Sequence, residues 1–264
     1  MLNGAQVERY RDEGFLLVED VLGAGDVGRV RAEVERLYAL DHDGRVMEKD
    51  GVTVRAIHGS HQVSELFARL ARLPQLLSVA EQLLGSRVYL HQCKVNAKRA
   101  LTGDVWQWHQ DFVFWQQHDG LTAPLVVNAG VFLDEATEHN GALLVVPGSH
   151  RLGTLVGGNR GTGSGDEWKA NFTADIDFAL RADQLAPLVA ERGIRSLTGP
   201  AGSLLFFDPM LVHGSGANMT PQDRSMALFS YNSVENVPQE VSRPRPEFLA
   251  ARNRTPLEVL AGAL

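Results

Sequence analysis

Gly202-Ser203-Leu204-Leu205-Phe206-Phe207-Asp208-Pro209-Met210-Leu211-Val212-His213-Gly214-Ser215-Gly216 reads as a strongly apolar strand, an Asp-Pro turn, and a returning segment with a histidine among small residues. Glycine beside a ligand lets the backbone pass close to a site, so His213 is a candidate ligand on that return. Short apolar runs of the same kind, most of them bounded by Gly, Pro, Asn or Asp, recur at residues 87–95, 105–115, 126–133, 142–146 and 225–231. They predict antiparallel strands. Ahead of residue 87 the texture changes. Residues 6–12 form a short polar helix candidate ended by Gly14, and Phe15-Leu16-Leu17-Val18 a buried strand. Val27, Val30, Val34, Leu37 and Tyr38 lie on one face of a helix, with Asp26 as its N-cap. A second helical stretch over 64–84 is interrupted at Pro74 and stopped by Gly85. Helices followed by many strands predict an α+β chain whose β part closes as a sandwich or jelly roll, organised as one domain over 1–264.

The chain has 264 residues, 44% of them hydrophobic and 22% charged, which suits a globular core and argues against disorder. The formal charge of −7, with no basic run, offers no footprint for nucleic acid or an anionic membrane. No apolar run approaches the ~20 residues needed to cross a bilayer, and the N-terminus lacks a signal-peptide pattern. The expectation is a cytoplasmic protein without a nucleic-acid or membrane partner. One cysteine, Cys93, excludes an internal disulfide framework and a cysteine-based metal site. Residues 152–168 are glycine-rich and match no phosphate-binding loop, so they read as a functional loop and a candidate lid. The proline-bearing tail after residue 237 reads as an extended strap.

Trp106-Gln107-Trp108-His109-Gln110-Asp111-Phe112 is the other informative stretch. In a strand, residues two apart share a face, so His109 and Asp111 project together and could bind one metal ion. A hydrogen-bonded pair on a strand has the same spelling. With His213, 104 residues on, they form a set of one carboxylate and two histidines, which leaves three octahedral positions open, as in non-haem Fe(II) oxygenases. A zinc hydrolase uses similar ligands. Arg224 could pair bidentately with the carboxylate of a keto-acid cosubstrate, or serve only a surface ion pair.

Trp108-His109-Gln110-Asp111, Gly141-Ala142-Leu143-Leu144-Val145-Val146-Pro147-Gly148-Ser149-His150, His213 followed by Arg224, and the opening Tyr10-Arg11-Asp12-Glu13-Gly14-Phe15 occur in an order that resembles the phytanoyl-CoA dioxygenase superfamily of Fe(II)/2-oxoglutarate enzymes. Within it, His91-Gln92-Cys93-Lys94-Val95-Asn96 and His109-Gln110-Asp111-Phe112 with Trp115 resemble ectoine hydroxylases. Glu48-Lys49-Asp50-Gly51, Thr53-Val54-Arg55-Ala56, Thr102-Gly103-Asp104-Val105-Trp106, Asp134-Glu135-Ala136-Thr137 and the tail from Arg245 to Arg252 resemble bacterial L-proline trans-4-hydroxylases more closely still. The tail reads as a subfamily signature, not as a catalytic motif.

The resemblance implies a double-stranded β-helix (jelly-roll) core with N-terminal and flanking helices. It implies Fe(II) held by His109, Asp111 and His213, and 2-oxoglutarate held by Arg224, Ser215 and Asn96, with Asn128 a further candidate. O2 is then the second cosubstrate, and Gln92 and Trp115 lie near the substrate. The implied reaction is hydroxylation of a free amino acid, L-proline to trans-4-hydroxy-L-proline, with release of succinate and CO2. Asp111 itself argues for hydroxylation, because related halogenases lack this carboxylate. Arg55 is the candidate for the substrate carboxylate, Trp115 for its apolar ring face, and His58 a further candidate. Ectoine or another free amino acid is the alternative substrate, and Gln116-Gln117-His118 departs from the more acidic stretch of the ectoine enzymes. A metal-dependent hydrolase and a non-catalytic scaffold of the same fold are the more distant alternatives. The sequence does not fix an oligomeric state.

Overall fold

The computed structural model describes residues 1–155, 168, 172, 176–262 and 264. Asn3 caps α1 (Gly4–Glu13) by accepting from the Gln6 amide, while the Gln6 side chain returns to the Asn3 N–H. After β1 (Phe15–Val18) comes α2 (Ala24–Tyr38), which buries the expected stripe Val27, Val30, Val34, Leu37 and Tyr38. Its N-cap lies three residues earlier than expected, at Gly23, which leaves Asp26 in its first turn. The hairpin β2 (Arg45–Met47) and β3 (Val54–His58) precedes three helices, α3 (Ser60–Val63), α4 (Glu65–Leu70) and α5 (Pro74–Leu84). Pro74 separates the last two by occupying the first position of α5, where its missing N–H removes no helical bond.

The remaining elements are β4 (Val88–Lys98), β5 (Trp106–His109), α6 (Asp111–Asp119), β6 (Val126–Phe132), β7 (Leu143–Val145), α7 (Ala182–Arg192), β8 (Arg195–Leu197), β9 (Leu204–Phe207), β10 (His213–Ser215) and β11 (Arg224–Ser233). They make two antiparallel sheets, one in the order β1-β9-β6-β11-β4-β3-β2 and one in the order β5-β10-β7-β8. The two sheets face one another as a jelly roll.

The central strands of the larger sheet read as continuous apolar runs because both faces are covered. Leu204, Phe206, Ala129, Val131, Ala227 and Phe229 pack against α2, α4 and α5 in one core. Leu205, Phe207, Phe132, Met226 and Leu228 point the other way, toward Val145 and Leu197 of the smaller sheet, in a second core. β4 alternates most tellingly. Cys93, Val95 and Ala97 join the helix-side core, so Gln92, Lys94 and Asn96 face the space between the sheets.

Two sequence expectations fail here. The run 105–115 is not one strand: β5 ends at His109 and α6 begins at Asp111. α7 had no counterpart in the sequence reading, and it carries Pro187 inside it. Of the glycine-rich lid candidate, residues 156–167 lie outside the described ones. No helix among the described residues is long and apolar enough to cross a membrane.

Candidate active site

β10 lies between β5 and β7, and its register sets His213 directly opposite His109. Asp111 arrives from the start of α6, whose Phe112 N–H is tied to the Pro209 carbonyl in the turn before β10. His109 and Asp111 therefore meet because a strand ends and a helix begins between them, not because they alternate along one strand. The ligand atoms of His109, Asp111 and His213 all lie within 4.8 Å of one another. His109 Nε2 is 3.6 Å from Asp111 Oδ1, and His213 Nε2 is 3.8 Å from Oδ2.

The hydrogen bonds around the three residues suit a metal. His109 Nδ1 is 2.6 Å from the Gln107 carbonyl and His213 Nδ1 is 2.9 Å from the Leu211 carbonyl. A carbonyl only accepts, so both Nδ1 atoms carry the proton and both Nε2 lone pairs turn toward Asp111. Burial first, then the neighbouring His109, pushes the His213 pKa down to about 4, which keeps the ring neutral and able to ligate. Burial acts to raise the Asp111 pKa, but Lys94, His213 and His109 outweigh it and hold the carboxyl well below the usual range. Asn128 Nδ2 donates to Asp111 Oδ2 at 2.9 Å while its Oδ1 accepts from Ser230. Asn128 thus braces a ligand and is not among the residues that line the pocket, so its expected role toward 2-oxoglutarate gives way to one on Asp111.

The pocket above this centre is lined by Gln92, Lys94, Asn96, Trp106, Trp115, Ser215, Arg224 and Arg245, with Phe114, Phe207, Met226 and Leu228 among its apolar walls. Arg224 and Asn96 sit on neighbouring strands, where Arg224 pairs with Lys98 and Met226 with Asn96. The Arg224 Nη2 donates to the Gly141 carbonyl, but its buried Nε and the buried Asn96 Oδ1 have no hydrogen-bond partner among the described residues. Burial pulls the Arg224 pKa down to about 10, and the guanidinium remains charged. A buried, incompletely bonded guanidinium on a pocket wall is a receptor for an anion.

At the other end, Gln92 donates to the Leu249 carbonyl at 2.8 Å, and Trp115 packs edge-on against His91 with centroids 5.5 Å apart. Arg245 comes from the tail, and its side chain is 9% exposed. The tail is therefore part of the pocket wall, a placement its reading as a subfamily signature did not include. Lys94 stands between the two ends, with no hydrogen bond or ion pair among the described residues.

The site reading misplaces two residues. Arg55 is fully buried and is not among the residues that line the pocket, standing behind Trp106. Its Nη1 pairs with Glu48 at 3.0 Å, Nε and Nη2 donate to the Phe172 and Val105 carbonyls, and the guanidinium lies 3.9 Å over the Trp106 ring. His58 is also buried and outside the lining, packed on Phe172 at 4.2 Å with neither ring nitrogen bonded among the described residues. Burial and then Lys94 hold its pKa well below the ordinary value, so the ring is neutral. The sequence reading passed over Lys94 and Arg245. The alternation of β4 already carried the signal for Lys94, whereas nothing local marks where Arg245 docks.

The phytanoyl-CoA dioxygenase family profile matches residues 10–226. The chain is 40% identical to an L-proline trans-4-hydroxylase of Streptomyces griseoviridis over 250 residues, covering 94% of this chain and 92% of that protein. It is 37% identical to an ectoine dioxygenase of Streptomyces avermitilis over 264 residues, covering 97% and 88%. Among solved structures it superposes on EctD from S. alaskensis with 2-oxoglutarate and 5-hydroxyectoine at TM-score 0.83 and 33% identity, covering 98% of this chain and 86% of that one. The same EctD with bound Fe gives TM-score 0.82. The chain belongs to the phytanoyl-CoA dioxygenase family.

Proposed function

We propose that this Fe(II)/2-oxoglutarate-dependent dioxygenase hydroxylates free L-proline, giving trans-4-hydroxy-L-proline. The carrying observation is a pocket with a guanidinium at each end and the His109–Asp111–His213 set on its wall. Both reactants are then carboxylates. Gln92, Lys94 and Asn96 share one face of β4, so the Gln92 end and the Asn96 end are about 13 Å apart. That length separates two anionic molecules and leaves the metal centre open to both.

His109, Asp111 and His213 would hold Fe(II) on one face. Bound Fe(II) supplies the redox chemistry that couples decarboxylation of 2-oxoglutarate, to succinate and CO2, with insertion of one oxygen atom of O2 into a C–H bond. Arg224, with Ser215 and Asn96 beside it, holds the distal carboxylate of 2-oxoglutarate. Arg224 gains there the partner its Nε lacks, and the Ser215 hydroxyl is a donor to the same oxygens. Arg245 takes the carboxylate of the amino acid, and Trp115 offers an apolar face to its ring. Lys94 supplies positive charge between them, and its long stem also narrows the passage. Phe114, Phe207 and Ile176 keep water from the reacting carbon. The protein's contribution is placement, which fixes the carbon nearest the metal.

The likeness to the proline hydroxylase supports proline as substrate. Ectoine is the second reading, favoured by the overall match to ectoine dioxygenases, and it carries a ring and a carboxylate too. Anaerobically prepared protein given Fe(II), ascorbate, 2-oxoglutarate and O2 is tested with L-proline, ectoine and L-pipecolate, reading succinate and the product mass. A hydroxylated product from L-proline, assigned by NMR to the trans-4 position, is the expected result. Turnover of ectoine without L-proline would move the substrate and keep the chemistry. No succinate with any substrate, with Fe(II) verified as bound, would overturn the proposal.

A further inference from the structure

We infer that Asp119 and His91 are positioning residues for the substrate, acting through Arg245. The inference rests on the reading that Arg245 takes the amino-acid carboxylate. Arg245 belongs to a tail with no regular secondary structure, so its own backbone does little to aim it. Its aim comes from Asp119. Nε donates to Oδ1 at 2.7 Å and Nη2 to Oδ2 at 2.6 Å, a bidentate pair with the two side chains 9% and 2% exposed. That pair fixes the plane of the guanidinium and leaves Nη1 as the group for a ligand. His91 in turn donates from Nε2 to Asp119 Oδ2 at 3.1 Å, and its ring braces Trp115.

The origin of Asp119 gives this arrangement its meaning. Asp111, Trp115 and Asp119 recur at i, i+4 and i+8 along α6. One helix therefore carries a metal ligand at its first residue, the ring that faces the substrate one turn on, and the holder of Arg245 at its last. Eight residues at about 1.5 Å each put roughly 12 Å between the two carboxylates along the helix axis. The separation between the metal centre and the substrate's carboxylate anchor is thus set within one rigid element, although Arg245 itself comes from more than a hundred residues away in sequence. Arg245 also lines the neighbouring cleft beside Asp119 and His118, so a guanidinium released from Asp119 has somewhere else to go.

The test is Asp119→Asn in the Fe(II)- and 2-oxoglutarate-loaded enzyme, with KM for L-proline and for 2-oxoglutarate measured separately and L-proline binding followed calorimetrically without O2. The expected result is a KM and Kd for L-proline raised about 10- to 100-fold with KM for 2-oxoglutarate unchanged. More succinate should form per hydroxylated product, and the preference for L-proline over L-prolinamide should shrink, because amide and acid are told apart by an oriented guanidinium. A general loss of structure would raise both KM values and leave that preference intact. His91→Phe keeps the packing on Trp115 and removes one bond to Asp119. It should show the same pattern at about threefold, and it serves if Asp119→Asn does not fold. Unchanged or tighter L-proline binding in both variants overturns the inference. Failure of the unmutated enzyme to bind L-proline, ectoine or L-pipecolate would overturn the substrate reading beneath it.

Discussion

The two ends of the pocket are built on opposite principles. Arg224 opens β11, a strand paired along its length to β4 and over much of it to β6, near the middle of the seven-stranded sheet. It sits next to a second buried basic side chain, Lys98, whose Nζ donates to the Gly216 and Asp104 carbonyls. Arg245 hangs on a tail and owes its place to a carboxylate from another element. The Arg224 end is thus inseparable from the sheet, while the Arg245 end is assembled from parts that can change without touching a central strand.

The largest effect should come from the wall that both ends share. Asp111→Ala removes the carboxylate from the metal set, so Fe(II) binding and succinate formation should fall about a thousandfold or more, read by metal titration and turnover. If hydroxylation survived, neither end would have a common centre. Next comes the comparison itself: Arg224→Ala should raise KM for 2-oxoglutarate about 100-fold and leave L-proline binding within about twofold. Equal changes in both constants would show that the ends are not separate. Asn128→Ala should weaken Fe(II) about 10-fold by releasing Asp111, with little effect on either carboxylate once metal is saturating.

The smallest effect concerns the rigid end alone. Burial, then the nearby Arg224 and Arg55, pulls the Lys98 pKa down to about 6. The unfolded chain, with an ordinary lysine, binds the proton more readily between that value and its own. Stability should therefore rise with pH across that window and fall as pH drops toward 6. Between pH 7 and 9 the rise is on the order of 2 kcal/mol, and Lys98→Met should flatten it in thermal melts. A slope unchanged in the variant would place the titration elsewhere.

How far this was legible in the sequence varies along the chain in the same way. The apolar run of β9, the return to His213 and the stripe of α2 are local patterns, and each formed where its spacing said. The metal set was legible too, but by an argument whose geometry was wrong. Phe112, Val113, Phe114 and Trp115 are aromatic or β-branched and all buried, so α6 shows no polar face to betray a helical period. Its polar residues Gln116, Gln117 and His118 follow as one block, so the helical state is decided by how the apolar half packs. Arg55 and Arg245 illustrate the other limit. Arg55 was named as a site residue and Arg245 only as part of the tail, yet most of what each guanidinium bonds to lies on chain segments about 50 to 130 residues away, which no window of sequence holds.

The backbone dipole of α6 gives the tail a further duty. A carboxylate at a helix N-terminus is favoured by the partial positive charge there, and Asp111 enjoys that position. Asp119 stands at the opposite pole, where a negative charge is repelled by the free carbonyls, yet Arg245 and His91 outweigh both that and burial and hold its pKa down to about 2. The guanidinium is therefore the counter-charge that lets the last turn of α6 end on an acid. A chain cut before residue 245 would lose more than a side chain of the pocket wall: the helix that carries Asp111 would begin on a favourable charge and finish on one that has lost its guanidinium partner.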